Sequence, residues 1–411
     1  MNKRIVITGV GVLASNGEGK DAYWQALKEG KVGYKPVTLF DASEFNTNIG
    51  GEISEFDAKV YMGPKGLRLL DRSTKLLVSS AKLAIDHAKL VITEENTDDA
   101  GVSVGTTLGS IKSIAEFDEV TLKEGPRAVN PGLFPNTVIN SPASQVSIWH
   151  KIKGFNTTIS TGFTASMDAL EYAYNFLQWD RASVILAGGV EEMCYHTFFG
   201  FHEIGFMSGS KKGQDFINCP FDRRRNGMTF AEGACLLVME SLEHAKKRKA
   251  PILAEIVCFG YSFDPFRINK YNPRGTGLKI AVLDALENAD MAPSDINYIC
   301  ANANSTIADK IESQIINEVF GEHAKKIPVS AIKSMIGETF SVSGAMAVAA
   351  SVGSLLEGFI PSTVNCLDQD PDCKVNVVTG QALNADLKNV MIINFGPNGS
   401  NTIMILRKYE K

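Results

Sequence analysis

The sequence predicts an α/β fold made of two similar halves, and three observations carry that expectation. Apolar runs of strand length alternate with helical patterns along the whole chain. The segment Thr164-Ala165-Ser166-Met167-Asp168-Ala169-Leu170 has an echo in Ser343-Gly344-Ala345-Met346-Ala347-Val348-Ala349. At 411 residues with 44% hydrophobic content, the chain can bury a large core, ordinarily as two domains or one duplicated domain.

In the first half, apolar runs at about residues 3–12, 100–106, 157–162 and 183–190 read as buried strands. Runs at about 251–263, 296–303, 326–333 and 389–407 are their counterparts in the second. Helical patterns lie between them at Asp21 to Leu27, Ser73 to Ala88, Ser166 to Leu177, Gly277 to Asn288, Asp309 to Phe320 and Gly344 to Leu356. The half boundary is expected near Ala245 to Ala250, where Lys246-Lys247-Arg248-Lys249 reads as a solvated connector. This gives halves of residues 1–247 and 248–411.

Charge and cysteine usage narrow the function classes. A net charge of -5 and a pI near 5.8 give no nucleic-acid signal. Seven scattered cysteines without a Cys-x-x-Cys suit reduced thiols in a cytosolic protein. Met1 leads straight into a strand without a secretory pattern, and no run of eighteen apolar residues is found, so a soluble cytoplasmic protein with no membrane partner is expected. His196 and His202 beside Cys194 have no matching cluster with ligand spacing elsewhere, so no metal and no other cofactor is expected.

The most informative stretch runs from Thr157 to Leu170: a β-branched strand, a Gly162 turn, then a helix whose start is rich in small residues. Such an elbow projects one side chain toward a pocket and aims helix N-terminal N–H groups at it, an arrangement that exposes and acidifies a nucleophile. The tip residue here is Phe163, which has neither a lone pair nor a titratable proton. Taken alone, the motif fits a modified elbow and an ordinary core aromatic equally.

The rest of the chain resembles the β-ketoacyl-acyl carrier protein synthases of the thiolase superfamily. The resemblance begins with Lys3-Arg4-Ile5-Val6-Ile7-Thr8-Gly9-Val10-Gly11-Val12 and continues through Ser183-Val184-Ile185-Leu186-Ala187-Gly188-Gly189-Val190-Glu191. It runs on through Cys219-Pro220-Phe221-Asp222-Arg223-Arg224-Arg225-Asn226-Gly227, Ala231-Glu232-Gly233-Ala234, Lys333-Ser334-Met335 and Phe395-Gly396. It implies the five-layer αβαβα thiolase fold with two duplicated halves.

Laid on that family's pattern, Phe163 takes the place of the nucleophilic cysteine, Asn302 that of the first histidine and Glu338 that of the second, while Lys333 is kept. In Phe395-Gly396-Pro397-Asn398-Gly399, Pro397 falls where the family donates a backbone N–H to the oxyanion hole, and proline has no N–H. Losing one such donor typically costs about 10²- to 10³-fold in kcat. Glu338 beside Lys333 reads either as a new acid/base pair or as a structural ion pair, and the impaired oxyanion hole favours the ion pair. On this reading the chain holds no catalytic residue and is not an enzyme by itself.

The resemblance also implies partners. It suggests a chain length factor of a type II polyketide synthase, which pairs with an active ketosynthase subunit, completes its acyl tunnel and limits the number of extensions. Its carrier partner would be an acyl carrier protein bearing malonyl or polyketide chains. Phe134, Thr137, Val138 and Ile139 lie in a segment that resembles the family's dimer seam and tunnel wall, and are candidates for the ruler or for plain interface packing. Lys65, Arg68, Arg72 and Lys75 are candidates for carrier docking or a solvated face. Lysine-rich, Asn- and Ile-rich composition points to an anthraquinone-type or aryl-polyene-type pathway. Two alternatives stay open: a malonyl decarboxylase or acyltransferase using Glu338 with Lys333, and a homodimeric acyl-binding scaffold.

Overall fold

The computed structural model describes residues 3–267 and 269–410. Its principal strands are β1 (Ile5–Ala14), β2 (Ala100–Gly105), β3 (Asn156–Ile159), β4 (Val184–Glu191), β5 (Gly233–Ser241), β6 (Ala254–Phe263), β7 (Tyr298–Cys300), β8 (Pro328–Ser330), β9 (Asn389–Phe395) and β10 (Ser400–Arg407). The principal helices are α1 (Lys20–Glu29), α2 (Arg72–Ala88), α3 (Ile111–Glu124), α4 (Ser141–His150), α5 (Ala165–Gln178), α6 (Tyr195–Glu203), α7 (Thr276–Asn288), α8 (Ala308–Phe320) and α9 (Ser343–Glu357).

The strand order is β3-β2-β4-β5-β1 in the first half and β8-β7-β9-β10-β6 in the second. Numbered within each half, both read 3-2-4-5-1. Pairing direction repeats as well. β2 runs parallel to β3 and β4, and β5 antiparallel to β4 and β1. Likewise β7 runs parallel to β8 and β9, and β10 antiparallel to β9 and β6. The two sheets meet where β1 pairs antiparallel with β6, Ile5 opposite Ile256 and Ile7 opposite Ala254.

Three apolar cores follow from this. α2 and α4 cover one sheet, α7 and α8 the other, and α5 and α9 pack together between them. These layers make the five-layer thiolase architecture that the family resemblance implies. Strands covered on both faces need continuous apolar character, and β1 is buried along its whole length. The helix α2 starts where the Asp71 carboxylate accepts from the Thr74 N–H at 2.7 Å, an N-cap.

Two sequence expectations need correcting. The apolar run at 389–407 is two strands, β9 and β10, folded back at Gly396–Gly399. The stretch Phe340–Glu357 is long and apolar enough to cross a membrane, with mean hydropathy 1.4, although no such run was expected; 89% of it is buried, as the helix of the central layer.

Candidate functional site

The elbow forms where β3 ends and α5 begins. Gly162 has φ +75°, a conformation that side-chain-bearing residues rarely adopt, and its N–H and carbonyl both bond Thr107 Oγ1 at 3.1 Å. The next residue, Phe163, points inward and is 4% exposed. Its ring meets Phe340 edge-on with centroids 4.4 Å apart, Phe340 meets Phe201 at 5.2 Å, and Phe201 meets Phe230 at 4.8 Å. Phe340 itself sits at φ +53°. A bulky residue held there stores about 1–3 kcal/mol of strain, offset here by its aromatic contacts. Phe163 cannot carry a covalent acyl group, and its ring closes the space at the tip.

Beside this seal lies a polar network in which, among the described residues, Asn394 Oδ1 is left without a partner. Lys333 Nζ donates to Asn302 Oδ1 at 2.7 Å and to Glu338 Oε2 at 2.9 Å. Asn302 Nδ2 donates to the Phe395 carbonyl at 3.1 Å, and its Oδ1 also accepts from Asn394 at 3.0 Å. Glu338 Oε2 accepts a second bond from Asn304 Nδ2 at 2.8 Å, while Oε1 accepts from the Phe340 N–H at 3.0 Å. Asn302, Lys333 and Glu338 are all buried, so each charge has a partner of opposite sign and the remaining lone pairs have donors. Behind them Glu312 accepts from the N–H groups of Asn302 and Ala303 at 2.7 and 2.8 Å. Burial pushes its carboxyl up to about 8.

Pro397 is buried in the Phe395–Ser400 turn, and its carbonyl accepts from the Lys270 N–H at 3.2 Å. No N–H can point from this position toward an oxyanion. A cavity of about 520 Å³ opens on the elbow, reaching Phe163 at one end. Asn304 and Tyr271 line its wall, and burial raises the Tyr271 phenol. Lys211, Arg223, Arg225 and Lys270 stand around it; Arg225 is paired with Asp370 at 2.6 Å and Arg223 with Asp368 at 2.8 Å. Among the described residues no ion pair holds Lys211 or Lys270, so the rim is cationic.

The remaining candidates lie on the surface. Phe134, Val138 and Ile139 are 58%, 42% and 40% exposed, and Thr137 donates to the Phe134 carbonyl at 2.8 Å. Phe134 packs against Phe117 of α3, ring centroids 6.1 Å apart. Lys65 and Arg68 are exposed and Lys75 half-buried. Arg72 turns away from them. Its guanidinium forks onto buried Glu232, with Nε at 2.7 Å from one oxygen and Nη2 at 2.5 Å from the other, and so is not free for a carrier. His202 sits under Phe45 and bonds Glu203 at 2.9 Å.

Sequence reading missed Asn304, Asn394, Asn398 and Phe340. Asn304 and Asn394 each lie two or fewer residues from a degenerate position or its motif, so spacing alone pointed at them. Phe340 lies two residues from Glu338, but nothing in the sequence marks its positive φ.

Comparisons with known proteins fit this geometry. The Beta-ketoacyl synthase, N-terminal domain family matches residues 2–245 and the Beta-ketoacyl synthase, C-terminal domain family residues 253–367. A 3-oxoacyl-[acyl-carrier-protein] synthase 2 of Coxiella burnetii is 34% identical over 408 residues, covering 99% of each chain. The ishigamide ketosynthase/chain length factor superposes with a TM-score of 0.92 at 30% identity, covering 100% of both chains. A type II PKS acyl-carrier protein in complex with its ketosynthase bound to the hexaketide gives 0.90 at 26% identity, again over 100% of both.

These relatives overturn the expectation that the chain is not an enzyme by itself. Further 3-oxoacyl-[acyl-carrier-protein] synthase 2 chains at 30–32% identity cover 99% or more of it, which points to a ketosynthase. Phe163, Asn302, Glu338 and Pro397 are therefore differences inside a condensing-enzyme frame, not grounds for placing the chain outside it.

Proposed function

This chain belongs to the β-ketoacyl synthase family, and on that premise we propose that it is the chain-length-factor-type half of a two-subunit ketosynthase in type II polyketide biosynthesis. A sister subunit with an intact cysteine holds the growing acyl chain and carries out decarboxylative condensation; this subunit completes the acyl tunnel and limits the number of extensions, toward an anthraquinone-type or aryl-polyene-type product.

The observation that carries the reading is Phe163, buried at the elbow tip beneath Phe340, where a thioester-forming residue would have to stand. The solved ketosynthase/chain length factor of similar fold supports it. An acyl carrier protein is the second partner, supported by the carrier complex among the structural relatives and by the cationic rim of Lys211 and Lys270, which suits an acidic surface. The test is co-expression with an intact-cysteine ketosynthase encoded beside it. A stable one-to-one complex that elongates malonyl carrier protein is expected; a homodimer that ignores the sister subunit would contradict it.

One observation favours a second reading. Asn304 lines the cavity and bonds Glu338, so the Lys333–Glu338 pair is one side chain from the cavity. This chain would then itself convert a malonyl thioester to an acetyl thioester and carbon dioxide, with a proton delivered to the α-carbon. Carbon dioxide release that disappears in Glu338→Gln would establish it, and no release above background would exclude it.

A further inference from the structure

One side chain ties the C-terminal turn to the elbow. Asn398 Nδ2 donates to the Thr161 carbonyl at 2.8 Å and to Ser400 Oγ at 3.1 Å. Among the described residues, the bond to Thr161 is the one hydrogen bond between the Phe395–Ser400 turn and the elbow. Its amide fills the space between two glycines. A Cβ on Gly162 would stand 2.9 Å from Asn398 Nδ2; one on Gly396 would stand 2.5 Å from Asn398 Oδ1 and 2.8 Å from Phe163 Cβ. Gly396 is thus wedged by Phe163 on one side and Asn398 on the other.

Neighbouring ties make this bond a lever. Asp168 accepts from Thr161, from Thr164 at 2.9 Å and from Thr402 on β10, joining the start of α5 to the strand after the turn. The Asp264 N–H donates to the Gly399 carbonyl at 2.7 Å, holding the far side of the turn. Between these anchors the β9–β10 ladder ends at Phe395 opposite Asn401, and backbone bonds shape the turn itself, from the Gly396 N–H to the Ser400 carbonyl and from the Gly399 N–H to the Gly396 carbonyl, both at 3.1 Å, while Asn398 supplies its tie to the elbow. Pro397 fixes φ there and offers no N–H of its own.

We propose that Asn398 is a positioning residue: it pins the C-terminal turn to the Thr161 carbonyl and thereby keeps the Phe163 seal shut toward the cavity. Removing the amide frees the turn to move away from the elbow, and with it Gly396, the surface against which Phe163 is held.

Two variants separate positioning from general stability. Asn398→Asp keeps the shape but presents an acceptor to the Thr161 carbonyl, and Asn398→Gly removes the side chain. Amide hydrogen exchange over residues 160–165 and 396–400 should quicken about tenfold in both, the size expected of one lost hydrogen bond, with α7 unchanged. Access is read with a thiol at the tip. Phe163→Cys should react with a small maleimide about tenfold faster when combined with Asn398→Gly than alone. Unchanged local exchange and labelling in either folded variant overturn the proposal, as does a uniform rise across the whole molecule. If Asn398→Asp does not fold, Asn398→Gly alone decides it.

Discussion

The buried site and the exposed apolar row beside it spend their side chains in opposite ways. At the elbow the ring and the charges are answered, although among the described residues Asn394 Oδ1 and Asn398 Oδ1 have no partner: Phe163 is 4% exposed under Phe340, and Lys333 and Glu338 face each other at 2.9 Å with Asn302 and Asn304 completing their bonds. On the surface, Leu133, Phe134, Val138 and Ile139 stand 37–58% exposed next to Ile114 at 37%, and no residue of α3 is buried. Apolar rows of that kind on a folded chain mark places that meet something else. The interior is closed by its own contacts, whereas the surface row is left open to whatever meets it.

Substitutions should fall on the two sides of that contrast. The largest effect is expected from Glu338→Ala, which strands the Lys333 ammonium in the interior and should cost about 3–5 kcal/mol of folding stability in urea unfolding. The double exchange Lys333→Met with Glu338→Leu should recover most of that loss, because both charges leave together. Phe163→Ala should cost about 3 kcal/mol, toward the low end for a buried phenylalanine because the adjoining cavity admits water. On the surface, Phe134→Ala and Val138→Ala should change stability by no more than about 0.5 kcal/mol. If these residues form the tunnel wall, they should instead lengthen or scramble the products of the reconstituted pair. A large stability loss at Phe134, or a negligible one at Glu338, would erase the distinction.

A pH series sharpens the interior side. Glu192 accepts from the N–H groups of Ser73 and Lys112 at 3.1 and 3.4 Å, and burial, with Asp71 nearby, pushes its carboxyl up to about 8 from an ordinary 4.5. The folded state therefore holds a proton that the unfolded chain gives up. The stabilisation this group contributes is fully present below about pH 4.5 and is lost as the pH rises through about 8. His87 acts at the other end. Burial lowers it to about 4 from 6.5, so its contribution is lost as the pH falls from about 6.5 toward 4. Glu192→Gln should flatten the alkaline decline in unfolding midpoint between pH 5 and 8 and leave the acid limb in place.

Much of this was readable in the chain itself. The strands β1, β2, β4 and β6 announced themselves because burial on both faces forces continuous apolar runs, and α2, α5, α7 and α8 because their buried stripes recur at helical spacing. β5 was not read as a strand, since Ala231-Glu232-Gly233-Ala234 at its start carries a buried charge and a glycine. α3 escaped too, and none of its residues is fully buried in this chain. At the site, Phe163, Asn302, Lys333, Glu338 and Pro397 were named by motif position, and their convergence is a product of the fold. Arg72 misled because helical spacing groups it with Lys65, Arg68 and Lys75, whereas Glu232, just before β5, draws it inward. Asn398 was hidden by its neighbour, proline being the louder change in that turn.

The central claim is a division of labour between two subunits, and locating the acyl group tests it most directly. The complex with an intact-cysteine ketosynthase would be loaded with acyl carrier protein, quenched in acid, digested and mapped by mass spectrometry. The account predicts the acyl mass on the sister subunit's cysteine and none on any peptide of this chain; an acyl adduct on this chain, formed at a rate that matches turnover, would contradict it.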